Sequence, residues 1–409
     1  MVPNHKTTAL DSFVEPRAPI CYGILKPGEH VSDGIPVIKV KNIIGGRILE
    51  DDLLRTSLKI HNQYKRAEVN QGDLLLTIRG TTGRVAIVPP SLSGANITQD
   101  TARIRVCGDD DPLYVFYALQ SPSVQQQIDL NTVGQAVKGI NIAEVKKLRI
   151  FHPEYSEQKK IAQILSTWDK AITTTEQLLA NSQQQKKSLM QQLLTGKKRL
   201  LDESGVRFEG EWAEIKLSSV FERVTEKNNG QSTNVVTISG VHGLIRQEDF
   251  FKKTVASETL DGYFLLKKGQ FAYNKSYSNG YPMGAIKRLN RYRDGVVTTL
   301  YICFELSDVN NADSDYWEHY FESGLMNKGL SQVAHEGGRA HGLLNVKPAD
   351  FFSLKVPLPS KEEQQKIATV LSSADQEISA LQQKLDALKQ EKKALMQQLL
   401  TGKRRVKAN

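Results

Sequence analysis

The chain is poor in the residues that would staple it together or carry it into a membrane. Only three cysteines, Cys21, Cys107 and Cys303, are scattered over 409 residues. An odd number so far apart builds neither a disulfide frame nor a zinc site, and three reduced thiols in the core are expected. No apolar run reaches the roughly eighteen residues of a membrane span. The opening MVPNHKTTAL lacks the charged-then-apolar order of a signal peptide, so a cytoplasmic protein without membrane attachment is expected. Catalytic words are missing too: there is no GxxxxGK[ST] phosphate loop, HExxH, paired-cysteine spacing or GxSxG elbow. His335-Glu-Gly-Gly-Arg lacks a second histidine. Ala272–Tyr277 (AYNKSY) lacks the Asn-Pro-Pro-aromatic word of amino-methyltransferases, and no glycine-rich cofactor loop accompanies it. These absences predict a chain that performs no chemistry itself and binds no metal or cofactor.

What is present is a repetition. LMQQLLTGK occurs at Leu189–Lys197 and again at Leu395–Lys403. Aligning the two copies also aligns EQKKIAQILSTWD (Glu157–Asp169) with EQQKIATVLSSAD (Glu363–Asp375), without a gap in between. A whole unit of about half the chain is therefore duplicated, and a gapless match demands one rigid geometry in both copies. The formal net charge is +9, a weak pointer to a polyanionic partner, and residues 154–200 and 360–409 hold most of the excess.

The apolar spacing in the duplicated segment is a heptad seam. Ile367, Leu371, Ile378, Leu385, Leu395 and Leu399 follow steps of four and three, with Ala374, Leu381 and Leu388 on the same stripe and Lys392 in one gap. The first copy keeps the register with Ile161, Leu165, Ile172, Leu179, Leu189 and Leu193, but places Thr175, Ser182 and Lys186 on the stripe. Pro359 and the capping-box pattern Ser360-x-x-Glu363 open the second helix. Thr-Gly followed by lysine or arginine closes both. Two surface helices packed on their own domains would suit part of this pattern. A narrow stripe kept over so many turns better suits two helices that pack on each other as an antiparallel coiled coil. Each would be a rod of roughly 57 Å at about 1.5 Å per residue. Antiparallel pairing would relate the two halves by an approximate two-fold axis, like a dimer folded into one chain.

Residues 1–153 and 201–359 share an order of elements. Each has an early β-branched strand (Pro36–Ile43; Asn234–Val241) and a glycine-led hairpin (Gly72–Pro89; Gly269–Leu289). A short aromatic helix follows (Leu113–Ser121; Asp315–Ser323), then a glycine-bracketed loop, GQAVKGINI or GGRAHGLLNV, and a last strand ending at a proline. The expected fold is α+β: two tandem domains, 1–153 and 201–359, separated by helical segments 154–200 and 360–409. The hairpin turns carry Arg79, Thr81, Thr82 and Arg84 in one copy and Asn274, Lys275 and Tyr277 in the other. The bracketed loops carry Gln135 and Lys138, or Arg339 and His341. Arginine, asparagine and hydroxyl side chains are the types that read base edges in a DNA groove, although an ordinary solvated turn has the same composition. Tyr273, Tyr277 and Tyr281 alternate, as a packed aromatic ladder would.

Two variable domains, each followed by a helix beginning Pro153…Glu157-Gln158-Lys160-Ile161-Ala162 or Pro359…Glu363-Gln364-Lys366-Ile367-Ala368 and ending in LLTGK, resemble the specificity subunit of type I restriction-modification enzymes. GQAVKGINI resembles that family's loop at the end of a target-recognition domain, GGRAHGLLNV matches it more loosely, and GEWAEIKLSSV at Gly210–Val220 looks like the start of such a domain. The resemblance implies a non-catalytic reader of double-stranded DNA. Each domain would recognise one half of a split target while the helices fix the gap. Two methyltransferase subunits and two motor-nuclease subunits would join it, bringing S-adenosylmethionine, ATP and magnesium with them. On the residues alone, a scaffold holding two protein-binding domains on the same helices is the alternative.

Overall fold

Three consecutive leucines cannot all face one side of a strand, and Leu74–Thr77 (β3 below) resolves this by being covered on both faces. Leu74 and Leu76 join one apolar cluster and Leu75 another, all fully buried. The computed structural model describes residues 7–135, 137–240, 242–251, 259–278, 280–336 and 344–407. The chain forms two compact units, Met1–Glu176 with Gln383–Asn409, and Gln177–Gln382.

In the first unit β1 (Thr7–Ala9) pairs antiparallel with β6 (Arg149–Phe151). A four-stranded antiparallel sheet has the order β2 (Cys21–Tyr22), β5 (Thr101–Ile104), β3 (Leu74–Thr77), β4 (Val85–Ile87). One face packs on α1 (Pro112–Leu119), α2 (Pro122–Leu130) and the start of α3 (Tyr155–Leu193). The second unit repeats the scheme. Strand β7 (Ala213–Lys216) pairs with β12 (Lys355–Leu358), and the sheet order is β8 (Phe221–Val224), β11 (Ile302–Leu306), β9 (Phe271–Asn274), β10 (Ala285–Arg288). Its core is aromatic: Phe221, Phe271, Phe304, Trp317 and Phe321 meet at ring-centroid distances of 5.2–5.9 Å around α4 (Ser314–Glu322).

Within each unit the start of one long helix lies antiparallel to the end of the other. In the first, Leu399 and Leu400 of α5 (Lys361–Leu399) and its C-cap are buried with Ile161 and Leu165 of α3. In the second, Met190, Leu193 and Leu194 are buried with Ile367 and Leu371. Of the polar residues on the stripe, Thr175 and Ser182 are buried and Lys186 and Lys392 half-buried: Lys392 pairs with Asp169, Lys186 with Asp375, and Ser182 donates to Glu377 Oε1 at 3.1 Å. Each aspartate is also approached from its own unit's aromatic helix, Asp169 by the Tyr117 hydroxyl at 2.7 Å and Asp375 by the His319 ring at 3.8 Å. Of the seam positions, Ile161, Leu165, Leu179, Leu193, Ile367, Leu371, Leu385 and Leu399 are buried, and Ile172, Leu189, Ile378 and Leu395 are half-buried.

The repeated letters outside the seam acquire jobs. Glu157, 5% exposed, binds the Arg405 guanidinium at 2.6 Å and the Val406 amide at 3.0 Å. Glu363, 1% exposed, binds Arg199 at 2.6 and 2.8 Å and the Trp212 indole nitrogen at 2.9 Å. Gln158 accepts from the amide of Asp111, the N-cap of α1, and donates to Asp110 and to Pro153 O. Gln364 does the same for Asp313, the N-cap of α4, with Asn311 O and Pro359 O. Both helices stop at a left-handed glycine, Gly196 or Gly402, with the amide two residues on returning to Gln192 or Gln398 O at 3.1 Å.

Several expectations are corrected. The capping box is only half made: the Glu363 amide is capped by Ser360 Oγ at 3.3 Å, but the Glu363 carboxylate serves Arg199 instead. The run Pro36–Ile43 is a strand only to Ile38 and then turns through a 3-10 helix at Val40–Asn42. Of the cysteines only Cys303 is fully buried, its thiol pushed up to about 12 by burial, whereas Cys21 and Cys107 are half-exposed. The three tyrosines do not share a strand face, because β9 ends at Asn274: Tyr273 is buried, Tyr277 is 63% exposed and Tyr281 is half-buried.

Burial pushes the Glu157 carboxyl up, but hydrogen bonds from Arg405 and Val406 outweigh it and hold the group below the usual carboxylate range. A depressed carboxylate stabilises the fold above its unfolded pKa, and that contribution disappears as pH falls through the folded value. Melting followed from about pH 7 to about pH 3 is expected to fall in acid for the native chain, and less steeply for Arg405→Gln. Parallel curves for the two would contradict the assignment.

Candidate functional site

The turn between β3 and β4 is closed by its own backbone. The Gly83 amide donates to Thr77 O and the Arg84 amide to Thr77 Oγ1, both at 2.9 Å. This leaves Arg79 and Thr81 exposed and Thr82 half-exposed. The bracketed loop folds against this turn. Val133 and Gly139 exchange two backbone hydrogen bonds of 2.9 Å, Gly80 N donates to Lys138 O, and Ile140 N donates to Ile78 O. Gly134 has φ +119°, and a Cβ there would lie 2.4 Å from Val137 O, so the tight loop requires glycine. Arg79, Thr81, Thr82, Gln135 and Lys138, separated by some fifty residues in sequence, therefore form one exposed surface.

Within it the side chains are not equivalent. The Arg84 guanidinium donates to Ile43 O at 3.1 Å and is tied to its own domain. Among the described residues Arg79, Arg84 and Lys138 have no acidic partner. Cations left uncompensated on one surface complement a polyanion.

The second unit has a corresponding hairpin turn between β9 and β10. Asn274 Oδ1 accepts from the Ser276 amide at 3.1 Å, fixing the side chain in a local turn. Gly284 closes the other side: its φ is +79°, and a Cβ would lie 2.3 Å from Asn274 O. Lys275 O accepts from Leu344 N at 2.9 Å, so the return of the second bracketed loop also meets the hairpin. Lys275 Nζ lies 3.4 Å from Val346 O, and burial and then Arg223 hold its ammonium below the usual lysine range. Arg339 and His341 lie outside the described residues.

Sequence reasoning missed the group that holds this second turn. The Tyr281 hydroxyl donates to Glu322 Oε1 at 2.5 Å, Lys287 Nζ donates to the Tyr281 oxygen at 2.9 Å and to Gly240 O at 3.1 Å, and Lys287 also pairs with Glu322. The turn is thereby clamped to α4. No spacing rule joins these residues, because the hairpin and the helix meet only in the fold. The Glu157–Arg405 and Glu363–Arg199 pairs were also missed, although their identical recurrence in both copies was a signal.

Among the described residues no cluster of three or more histidine, cysteine, aspartate or glutamate side chains is placed to hold a metal. No helix there is long and apolar enough to cross a membrane. The profile of a family described as type I restriction modification DNA specificity domain matches twice, over residues 26–181 and 209–390. The chain belongs to the type I restriction-modification specificity family.

Within that family, the EcoBI specificity subunit of Escherichia coli is 31% identical over 160 residues, which are 38% of this chain and 33% of that one. The chain thus matches a third of the length of that relative. The MjaVIII specificity subunit of Methanocaldococcus jannaschii is 23% identical over 385 residues, 88% of this chain and 85% of that one. In fold, the chain is similar to the S subunit of the type I restriction-modification system from M. genitalium, with TM-score 0.55, 17% identity and 97% of each chain covered. The HsdS subunit from Thermoanaerobacter tengcongensis gives TM-score 0.52 at 17% identity, covering 98% of this chain and 97% of that one. Each match to the family profile takes in one hairpin turn and most of the long helix that follows it.

Proposed function

We propose that this family member is the DNA sequence-specificity subunit of a type I restriction-modification system. It is a non-catalytic subunit that reads a bipartite target in double-stranded DNA. Residues 1–153 and 201–359 act as two target-recognition domains, one per half-site, and segments 154–200 and 360–409 act as spacers. The observation that carries this reading is the recurrence, in each unit, of a hairpin turn joined by backbone hydrogen bonds to a second segment far along the chain. In the first unit that surface holds cations without acidic partners. Arg79, Thr81, Thr82, Arg84, Gln135 and Lys138 are the candidate contacts of the first domain, and Asn274, Lys275, Tyr277, Arg339 and His341 those of the second. Arg79, Thr81, Gln135, Lys138 and Tyr277 are exposed, and Arg84, bonded to Ile43 O, serves through backbone positioning.

The two 39-residue helices, about 58 Å each at ~1.5 Å per residue, pair as an antiparallel coiled coil and set the gap between half-sites. Two-fold proteins read half-sites about one helical turn, ~34 Å, apart. The matched helix ends offer equivalent docking surfaces to two methyltransferase subunits, and two motor-nuclease subunits complete the restriction complex. S-adenosylmethionine, ATP and magnesium belong to those partners.

Footprinting with the methyltransferase partner is expected to protect two short patches separated by an unread gap. One continuous patch, or none, would leave the scaffold reading standing. A four-residue insertion after Leu179 breaks the heptad register. It is expected to change the tolerated gap or abolish assembly while leaving the half-site letters unaltered. A methylome with altered letters would contradict the division of labour.

A further inference from the structure

The loop of residues 133–139 leaves two valines in water. Val133 is 70% and Val137 60% exposed. Backbone hydrogen bonds hold the residues around them: Val133 and Gly139 exchange two, and Lys138 O, next to Val137, accepts from Gly80 N at 2.9 Å. An apolar, β-branched side chain has few rotamers, and one exposed beside hydrogen-bonded backbone is already largely ordered for a contact that the first unit itself does not provide. Gly139 bridges to Val133 on one side and to Arg79 on the other. Valine and arginine therefore flank a strip of backbone that carries no side chain.

The frame around the valines selects the occupant. Arg79 and Lys138 flank them without acidic partners among the described residues, and Thr81 and Gln135 are exposed beside them. A protein's apolar face would gain little from uncompensated cations, whereas nucleic acid supplies phosphate to the cations and base edges to the centre. In the major groove the one apolar group on a base edge is the C5 methyl of thymine. We propose that Val133 and Val137 contact thymine methyl groups in the half-site read by the first domain, as specificity-determining residues that separate thymine from cytosine. This inference rests on the DNA-reading function proposed above.

The test uses the full chain in complex with its methyltransferase subunits and duplexes carrying the target found by methylome sequencing. Each thymine, on either strand, is replaced singly by deoxyuridine, which lacks only the methyl group. The native complex is expected to bind and methylate the thymine duplex roughly fourfold better for each methyl contact at one or two positions of the first half-site. V133S/V137S should abolish that preference, V133I/V137I should keep it, and neither should change any thymine preference in the second half-site. Both positions are exposed, so the melting temperature should not move. The proposal is overturned by a first half-site without thymine, by equal use of thymine and deoxyuridine, or by a preference that persists in V133S/V137S. It is also overturned if that variant sheds the methyltransferase in size-exclusion chromatography, since the valines would then be a protein-docking surface. A native complex that methylates no split target would instead sink the DNA-reading function itself.

Discussion

Arg199→Ala is expected to destabilise the second unit by about 3–5 kcal/mol, the range for stripping one partner from a buried charge pair. Glu363 is only 1% exposed and receives three hydrogen bonds, two of them from Arg199. Without the guanidinium its charge keeps one neutral donor, the Trp212 indole, and cannot reach water. The substitution also removes Arg199 from above the Trp212 ring, 5.5 Å from its centroid. Set against a typical stability of about 5–15 kcal/mol, the loss is large enough to unfold a marginal unit at physiological temperature. Urea titration can localise it, because Trp212 and Trp317 lie in the second unit and Trp168 in the first. Arg405→Ala should cost the first unit less, since the Arg405 side chain is already 58% exposed and the Val406 amide still serves Glu157. Replacing both members, as in R199M/E363L, should recover most of the loss, because removing a whole buried pair is often near neutral. A change below about 1 kcal/mol in Arg199→Ala would place the pair among ordinary surface ion pairs.

A chain ending at Leu200 is expected to form a homodimer. The first unit is completed by the end of α5: Leu399 and Leu400 are 2% and 3% exposed in its core, Lys392 pairs with Asp169, and Arg405 with Glu157. A half-chain lacks these residues but carries their counterparts: Leu193 and Leu194 in the identical word of its own helix, with Lys186 before that word and Arg199 after it. Two copies can therefore exchange helix ends residue for residue. Leaving two core leucines uncovered would cost about 1.5–3 kcal/mol each, which is the driving force for the exchange. Light scattering coupled to chromatography should give twice the half-chain mass, and Leu193→Asp should return monomer or aggregate. With the methyltransferase, the dimer should modify a palindromic target made of two inverted copies of the first half-site. A stable half-chain monomer would mean that the first unit does not need the borrowed helix end.

The architecture was open to sequence reasoning because its parts obey local periodicities. The heptad stripe, the Thr-Gly stop, the glycine-led hairpins and the proline before each long helix are properties of neighbouring residues. The duplicated word showed that whatever one copy does, the other does as well. Polar letters on that stripe read as weaknesses, yet Lys186 and Lys392 are satisfied by aspartates that lie far away in sequence. Met190, which lies off the heptad stripe in the repeated word, is 8% exposed and part of the core. Of its neighbours in the repeated word, Gln191 and Gln192 remain exposed, and so do Gln397 and Gln398.

The sequence by itself determined the duplication, the helices and their stops, the kind of domain between them and, through the repeated helix entry, the family. Only the tertiary structure decided which side chains work together. Ile78 and Gly80, on either side of Arg79, meet the loop of Gln135 and Lys138 through backbone hydrogen bonds across some fifty residues, Tyr281 finds Lys287 and Glu322, and Glu363 abandons its capping box for Arg199. The physical reason is range. Periodicity and capping are set by a turn or two of chain, whereas burial of a charge and closure of a loop against a hairpin depend on partners that become neighbours only after the core has formed.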